Sequence, residues 1–210
     1  TYTDLQNYLD TIRDHPFVTV ESLGQTRCGH DLPLVSVSSS PDARDLVLLI
    51  SREDGDEPTS NVALEGFLSR LISDDSPEIA RIRENTVFTI VPMVAIDAVV
   101  SGSPYGGPYD VMARRWMDEE PLPEIAHIKS AIAGWFESHN IRLIGKLHGG
   151  QAYDNAPVWD FRIFDRELRK LLPKGRPEST NGDWNPYVLD AVPWVRKLTI
   201  IESWLQQDYD

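Results

Sequence analysis

The sequence has one cysteine, few basic residues and no long apolar run. A single thiol, Cys28, excludes an intrachain disulfide framework and a zinc site built from several cysteines. No apolar run approaches the ~18 residues that a membrane-spanning helix needs. Lys and Arg number 20 against 33 Asp and Glu, which gives a formal net charge of -13 at pH 7. Because a nucleic-acid backbone is itself anionic, this charge balance argues against a nucleic-acid partner.

The 210 residues are enough for a domain with its own hydrophobic core, and 41% of them are hydrophobic. No internal repeat and no low-complexity linker divides the chain, so we expect a single domain over residues 1–210. Residue 1 is Thr rather than Met, which is compatible with the removal of a leader. A cytoplasmic protein and a processed exported protein both remain open, and so does the oligomeric state.

Short buried strands alternate with amphipathic helices over most of the chain. The predicted elements are helices over 1–16, 59–73 and 124–139, and strands over 17–21, 32–38, 45–51, 86–92, 141–147 and 196–201. This alternation is typical of an α/β fold with a mixed, mostly parallel central sheet flanked by helices. Two long stretches, 100–123 and 149–195, lack the pattern and are expected to be loops.

Acidic or imidazole side chains follow three of the predicted strands. Asp54 and Glu57 follow the strand over 45–51, His148 follows the strand over 141–147, and Glu202 follows the last strand. In open α/β sheets, ligands bind beyond the carboxyl ends of the strands. These side chains therefore converge on one place if the three strands are neighbours in the sheet.

The residue types at these strand ends suit a metal ion. Asp54 and Glu57 are three residues apart on a turn that leads into a helix, so both carboxylates lie on one side of the turn. Two carboxylates and the imidazole of His148 make a three-ligand set that leaves a position for water or substrate. Glu202 is then available as a general base. Each motif alone also fits a simpler interpretation: a solvated acidic loop, a structural histidine or an ordinary strand-end acid.

Six segments, in chain order, resemble the zinc metallocarboxypeptidases, the carboxypeptidase A-like peptidases. Residues 20–34 resemble the family's opening segment. The other five are Gly55-Asp56-Glu57-Pro58, similar to the end of its His-x-x-Glu zinc segment; Val91-Pro92-Met93-Val94 with Asp97 and Val99, similar to a strand exit; Met112-Ala113-Arg114-Arg115-Trp116, similar to its Asn-Arg box; Leu147-His148-Gly149-Gly150, similar to its third-ligand segment; and Thr199-Ile200-Ile201-Glu202, similar to the strand that carries its catalytic Glu.

The resemblance implies a metallocarboxypeptidase-like catalytic domain and one zinc ion held by Asp54, Glu57 and His148. It implies that Arg114 binds the terminal carboxylate of a peptide substrate. It also implies that Glu202 deprotonates the water that the metal activates, and then passes the proton to the leaving amine. The expected reaction is hydrolysis of a C-terminal peptide bond or a related amide bond.

The sequence departs from the family pattern at several of these positions. Asp54 stands where the family has His, and Ala113 stands where it has the Asn that precedes Arg114. No Arg lies within 101–108, where the family carries the Arg that polarises the scissile carbonyl. Tyr187 is a candidate for the family's mobile Tyr, or simply a loop aromatic.

The Asp at position 54 changes the expected chemistry of the metal. Two carboxylate ligands make the ligand charge −2, so a divalent site becomes formally neutral. A less positive metal polarises a carbonyl less, and harder oxygen ligands weaken the preference for zinc over other divalent cations. We therefore expect zinc to be bound weakly or replaced by another divalent cation.

Three functions remain open at this point. The first is a divergent carboxypeptidase-type hydrolase acting on a peptide. The second is an N-acyl amino acid deacylase of related fold, for which the substrate is an acyl-amino acid. The third is a catalytically silent binding protein on the same fold, which predicts no stoichiometric metal. Retention of His148 and Glu202 favours a hydrolase.

Overall fold

The computed structural model describes residues 1–104, 116, 118–149 and 157–163. Side chains are described for residues 1–104, 116 and 118–147. This part of the chain forms five α-helices and six strands. In chain order they are α1 (Tyr2–Ile12), β1 (Val18–Gln25), β2 (Asp31–Val37), β3 (Asp45–Ser51), α2 (Pro58–Ser73), α3 (Pro77–Asn85), β4 (Thr86–Val91), α4 (Ile96–Ser101), α5 (Pro123–Ser138), β5 (Asn140–Gly149) and β6 (Pro157–Ile163).

All six strands belong to one mixed sheet with the order β1-β2-β4-β3-β5-β6. The three central strands β4, β3 and β5 are parallel, whereas β1, β2 and β6 pair in antiparallel fashion with their neighbours. In the β3–β5 register, Ile50 lies opposite Lys146 and Ser51 lies opposite Leu147. The expected mixed α/β sheet is confirmed, and the carboxyl ends of β3 and β5 lie side by side.

The core lies between the sheet and its helices. The continuous apolar run of β3 is buried, as expected for a strand covered on both faces, and Leu46, Leu48 and Ile50 are each 0% exposed. The helices contribute apolar stripes at helical spacing: Leu64, Leu68 and Leu71 on α2, and Ile125, Ile128 and Ile132 on α5. Full burial of one such side chain stabilises the folded state by ~1.5–3 kcal/mol, so the packed core holds the carboxyl end of β3 in a stable position.

Most predicted elements are present, and the differences have local causes. Helix α1 begins after Thr1, whose side chain accepts a hydrogen bond from the Asp4 amide in a capping box, and it ends at Ile12. Helix α3 was not predicted because it is polar and buries only Arg83. Strand β6 lies inside the stretch expected to be a loop, so that prediction is wrong for Pro157–Ile163. The predicted strand over 196–201 lies outside the described residues.

No α-helix in the described part of the chain combines the length and the apolarity that crossing a membrane requires. This agrees with the sequence, which contains no long apolar run.

Candidate metal-binding site

The turn between β3 and α2 carries two of the predicted ligands. Asp54 is 6% exposed and Glu57 is 3% exposed, although both follow a strand end and precede the first turn of a helix. A solvated acidic loop would leave both side chains in water. Their burial therefore removes the simpler interpretation of this turn. Glu57 occupies the N-cap position of α2 without a capping hydrogen bond from its side chain, and Pro58 occupies the first turn of that helix, as its sequence position predicts.

Tight backbone packing shapes this turn. Arg52 has a φ of 54°, in the left-handed region that residues other than glycine rarely adopt. The amide of Gly55 donates a hydrogen bond to the carbonyl oxygen of Pro104 at 2.9 Å. A Cβ at Gly55 would lie 2.2 Å from the carbonyl oxygen of Ser103. Residue 55 must therefore be glycine for the turn to pack this closely against the segment after α4.

Arg52 also ties the turn to α2 through its side chain. Its guanidinium donates one hydrogen bond to Asn61 Oδ1 at 3.0 Å and another to the carbonyl oxygen of Gly55 at 2.9 Å. Burial lowers the pKa of the Arg52 guanidinium, while the negative charges of Glu57 and Asp56 act in the opposite direction. An arginine side chain stays protonated in proteins at ordinary pH, so the group keeps its charge. A buried positive charge therefore stands beside the carboxylates.

A buried ion pair joins the same turn to β5. The Glu53 carboxylate pairs with the ammonium of Lys146, and the two side chains are 2% and 1% exposed. The other oxygen of Glu53 accepts a hydrogen bond from Trp116 Nε1 at 2.8 Å. Neither Glu53 nor Lys146 was predicted as a site residue. The available signal was a lysine inside the otherwise apolar strand 141–147, directly before the His148 segment.

His148 lies on β5, directly after the residue that pairs with Ser51 of β3. The backbone therefore brings the third predicted ligand position to the strand next to the Asp54–Glu57 turn. The side chain of His148, together with Arg114, Tyr187 and Glu202, lies outside the described residues. Among the side chains that are described, no group of three or more His, Cys, Asp or Glu is arranged to hold a metal ion.

The donor chemistry of the turn fits a divalent cation. Both carboxylates are more than nine-tenths buried, and buried carboxylates in proteins are stabilised by ion pairs, hydrogen bonds or bound cations. Carboxylate oxygens are ligands for zinc and also for harder divalent cations. Asp54 and Glu57 therefore suit a cation as two of its donors, and a further donor has to come from beyond the described side chains.

A second polar cluster lies at the β1–β2 turn and has a structural role. Asp97 accepts hydrogen bonds from Thr26 Oγ1 at 2.6 Å, from His30 Nδ1 at 2.9 Å and from the Cys28 amide at 2.9 Å. Burial alone would raise the pKa of Asp97, but these hydrogen bonds outweigh burial and lower the pKa. The hydrogen bond and negative charge of Asp97 raise the pKa of the Cys28 thiol, which disfavours a nucleophilic thiolate.

Comparison with solved structures places the fold in a known class. A putative carboxypeptidase from Burkholderia mallei superposes with a TM-score of 0.63 at 26% sequence identity, over 71% of this chain and 39% of that chain. A putative carboxypeptidase A from Shewanella denitrificans gives the same TM-score at 24% identity and the same coverage. The mixed sheet with a buried acidic turn after β3 is thus a carboxypeptidase-type α/β fold.

Sequence comparison finds similarity to carboxypeptidases as well. The zinc carboxypeptidase family matches residues 5–105. Cytosolic carboxypeptidase 2 of Mus musculus is 27% identical over 203 residues, which cover 87% of this chain and 23% of the relative. Cytosolic carboxypeptidase 6 of Mus musculus is 31% identical over 146 residues, 63% of this chain and 26% of the relative. Over residues 5–105 the chain is similar to the zinc carboxypeptidase family, and it spans about a quarter of the length of these relatives.

Proposed function

We propose that this protein is a divergent metal-dependent hydrolase of carboxypeptidase type that cleaves a C-terminal peptide bond or a related amide bond. The observation that supports it most is the burial of Asp54 and Glu57, which are 6% and 3% exposed, within the segment that the family match covers. The proposal treats residues 1–210 as one catalytic domain and takes a peptide or an acyl-amino acid as the substrate.

In this proposal Asp54, Glu57 and His148 hold one zinc ion. A divalent cation bound there supplies a Lewis acid, which polarises a carbonyl and lowers the pKa of water. The Asp ligand adds one negative charge relative to the family's His. It also replaces an imidazole nitrogen by a harder oxygen donor, so the preference for zinc falls and other divalent cations compete better. The buried guanidinium of Arg52 offsets part of that negative charge, because it interacts electrostatically with Glu57.

The remaining roles belong to two residues outside the described part of the chain. Arg114 orients the substrate, since a guanidinium forms two parallel hydrogen bonds with a terminal carboxylate. Glu202 accepts a proton from the attacking water and returns it to the leaving amine, which is general base and then general acid catalysis. These assignments follow the resemblance of their segments to the family.

Metal binding by matched variants tests the ligand assignment. Asp54→Asn and Glu57→Gln each replace one proposed carboxylate ligand by a neutral and weaker amide, whereas Asp56→Asn removes the same charge from an exposed residue of the same turn. We expect about one equivalent of zinc in the parent protein, at least about a tenfold rise in Kd for the first two variants, and a Kd within about twofold of the parent for Asp56→Asn. Isothermal titration calorimetry against a competing chelator measures all four proteins.

The outcomes separate the candidate functions. A parent protein that takes up no divalent cation points to a silent binding protein. If Asp56→Asn raises the Kd for zinc as much as Glu57→Gln does, the turn acts only through its overall charge and the ligand assignment is wrong. If the metal binds, peptides with free and with amidated C-termini are compared with N-acyl amino acids. Cleavage that requires a free terminal carboxylate supports a carboxypeptidase, and cleavage that depends on the acyl group supports a deacylase.

A further inference from the structure

One buried carboxylate contacts two segments that are remote from it in sequence. Glu53 accepts the hydrogen bond from Trp116 Nε1 at 2.8 Å through one oxygen and pairs with the ammonium of Lys146 through the other. The three residues are almost without solvent exposure, at 1% for Glu53, 0% for Trp116 and 1% for Lys146. Water competes little with such contacts, so their directional preference is strong.

Each partner in this cluster is close in sequence to a residue of the proposed site. Glu53 directly precedes Asp54. Lys146 comes two residues before His148 on β5, where it pairs in register with Ile50 of β3. A displacement of Glu53 or Lys146 therefore moves a proposed ligand position with it.

The third member of the cluster is close in sequence to the proposed carboxylate-binding residue. Trp116 comes two residues after Arg114 in the chain. Its backbone is held in turn by α5, because Lys129 Nζ donates a hydrogen bond to the Trp116 carbonyl oxygen at 3.0 Å. The Glu53 carboxylate thus lies where three parts of the chain meet, namely the ligand turn, strand β5 and Trp116.

We propose that Glu53, acting through Lys146 and Trp116, is a positioning residue that fixes these three segments relative to one another. The inference rests on the proposed function, which assigns their roles to Asp54, His148 and Arg114. Glu53 itself binds neither the cation nor the substrate in this account. It acts on the site by holding the backbone on both sides of the ligands.

Stability alone does not account for the ion pair. Two charges lose their hydration on burial, and well-packed apolar residues of similar size stabilise a protein as well or better. What an apolar pair lacks is direction: a carboxylate with one ammonium and one indole N–H has a fixed orientation. A misplacement of about 1 Å in a catalytic site costs on the order of a hundredfold in rate, so such direction has a clear use here.

The test separates positioning from mere folding. Glu53→Gln and Lys146→Met each remove one charge of the buried pair and keep the other, and both are expected to lower the Tm. The double variant Glu53→Gln/Lys146→Met removes both charges with little change in volume and is expected to recover most of the lost Tm. We expect the double variant to remain altered at the site: its zinc Kd is about 10–100-fold above that of the parent, as for other residues that orient metal ligands.

A metal-free measurement accompanies the titration. Hydrogen exchange of the backbone amides in the Arg52–Glu57 turn, followed without added metal, is expected to be faster in the double variant than in the parent, with the β1–β2 hairpin unchanged. Arg83→Met is the control for general destabilisation, since Arg83 is buried beside the amino end of β4, at the opposite end of the parallel strands. It is expected to lower the Tm without changing exchange in the turn or the zinc Kd.

The results distinguish two failures. A double variant that regains both the parental exchange rates in the turn and the parental zinc Kd shows that the pair serves folding alone, which overturns the inference. A parent protein that takes up no divalent cation overturns the proposed function instead. In that case the exchange experiment still decides whether Glu53 holds the turn, since it needs no metal: unchanged exchange in the double variant rejects the inference.

Discussion

Gly55→Ala is expected to destabilise the protein and distort the candidate site. The added Cβ would lie 2.2 Å from the carbonyl oxygen of Ser103 and 3.0 Å from the Cβ of Ala98. An ordinary contact between carbon and a carbonyl oxygen is about 3.3 Å or longer, so the backbones must separate by about 1 Å. The obstacle is main chain, which no change of rotamer relieves. Overpacking of this kind costs ~1–3 kcal/mol.

The loss is measurable as a shift in Tm. For a chain of this size, 1 kcal/mol corresponds to about 2–4 °C, so Gly55→Ala should lower the Tm by roughly 2–12 °C. The separation also strains the hydrogen bond from the Gly55 amide to the Pro104 carbonyl oxygen, which measures 2.9 Å. Because Asp54 and Glu57 flank the changed residue, zinc affinity should fall together with the Tm.

Gly66→Ala provides the matched control. Gly66 is an exposed residue in the interior of α2, and a Cβ built there has no atom within 4 Å. Replacing such a glycine by alanine stabilises a helix by roughly 0.5–1 kcal/mol. The same chemical change is therefore expected to have opposite signs at the two positions. A Gly55→Ala variant as stable as the parent, or a Gly66→Ala variant that loses as much as Gly55→Ala, would refute the steric argument.

Two further predictions concern the carboxyls at the start of α5 and α4. Burial raises the pKa of Glu124, and the negative charge of Asp97 raises it further, so the folded state favours the protonated acid. The free energy of unfolding of the parent should fall as the pH rises from the ordinary pKa of about 4.3 through the raised value, and that of Glu124→Gln should not. Urea unfolding from pH 4 to 8 measures both proteins. An equal change of the free energy of unfolding with pH in the two proteins would contradict this prediction. The pKa of Asp97 is lowered instead, so its stabilisation is present above about pH 4 and is lost as the pH falls through the lowered value. Asp97→Asn should cost about 2–3 kcal/mol at pH 7, with the difference from the parent shrinking in acid; a constant difference would show that the charge of Asp97 is irrelevant.

The parts of the fold that were predicted depend on local pattern. Strand β3 was predicted with its observed bounds, Asp45–Ser51, because a continuous apolar run is visible without knowledge of its neighbours. Helix α2 was predicted to within one residue, since Pro58 marks its first turn. The position of Asp54 and Glu57 beyond the end of β3 followed in the same way.

The parts that were missed depend on tertiary context. Burial of the acidic turn requires the segment after α4 to cover Gly55, and no local pattern shows that contact. The pairing of Glu53 with Lys146 requires the β3–β5 register, because the two residues are remote in sequence. Arg52 adopts a positive φ that its side-chain type does not predict. Such features arise where the chain is constrained from several sides, which is also where the site lies.

The charge of the whole turn modifies the consequence drawn from Asp54 alone. Counting only ligands, a divalent cation with Asp54, Glu57 and an imidazole is formally neutral. Within the described residues, however, the Glu53–Lys146 pair adds no net charge, and the buried Arg52 adds one positive charge whose electrostatic interaction includes Glu57. The carboxylates of Asp54 and Glu57 together with Arg52 carry one net negative charge, so a bound divalent cation leaves one net positive charge. In the proposed site, an Asp ligand at position 54 is therefore compatible with an electrophilic metal, because the buried charge of Arg52 offsets part of the negative charge that the ligand exchange adds.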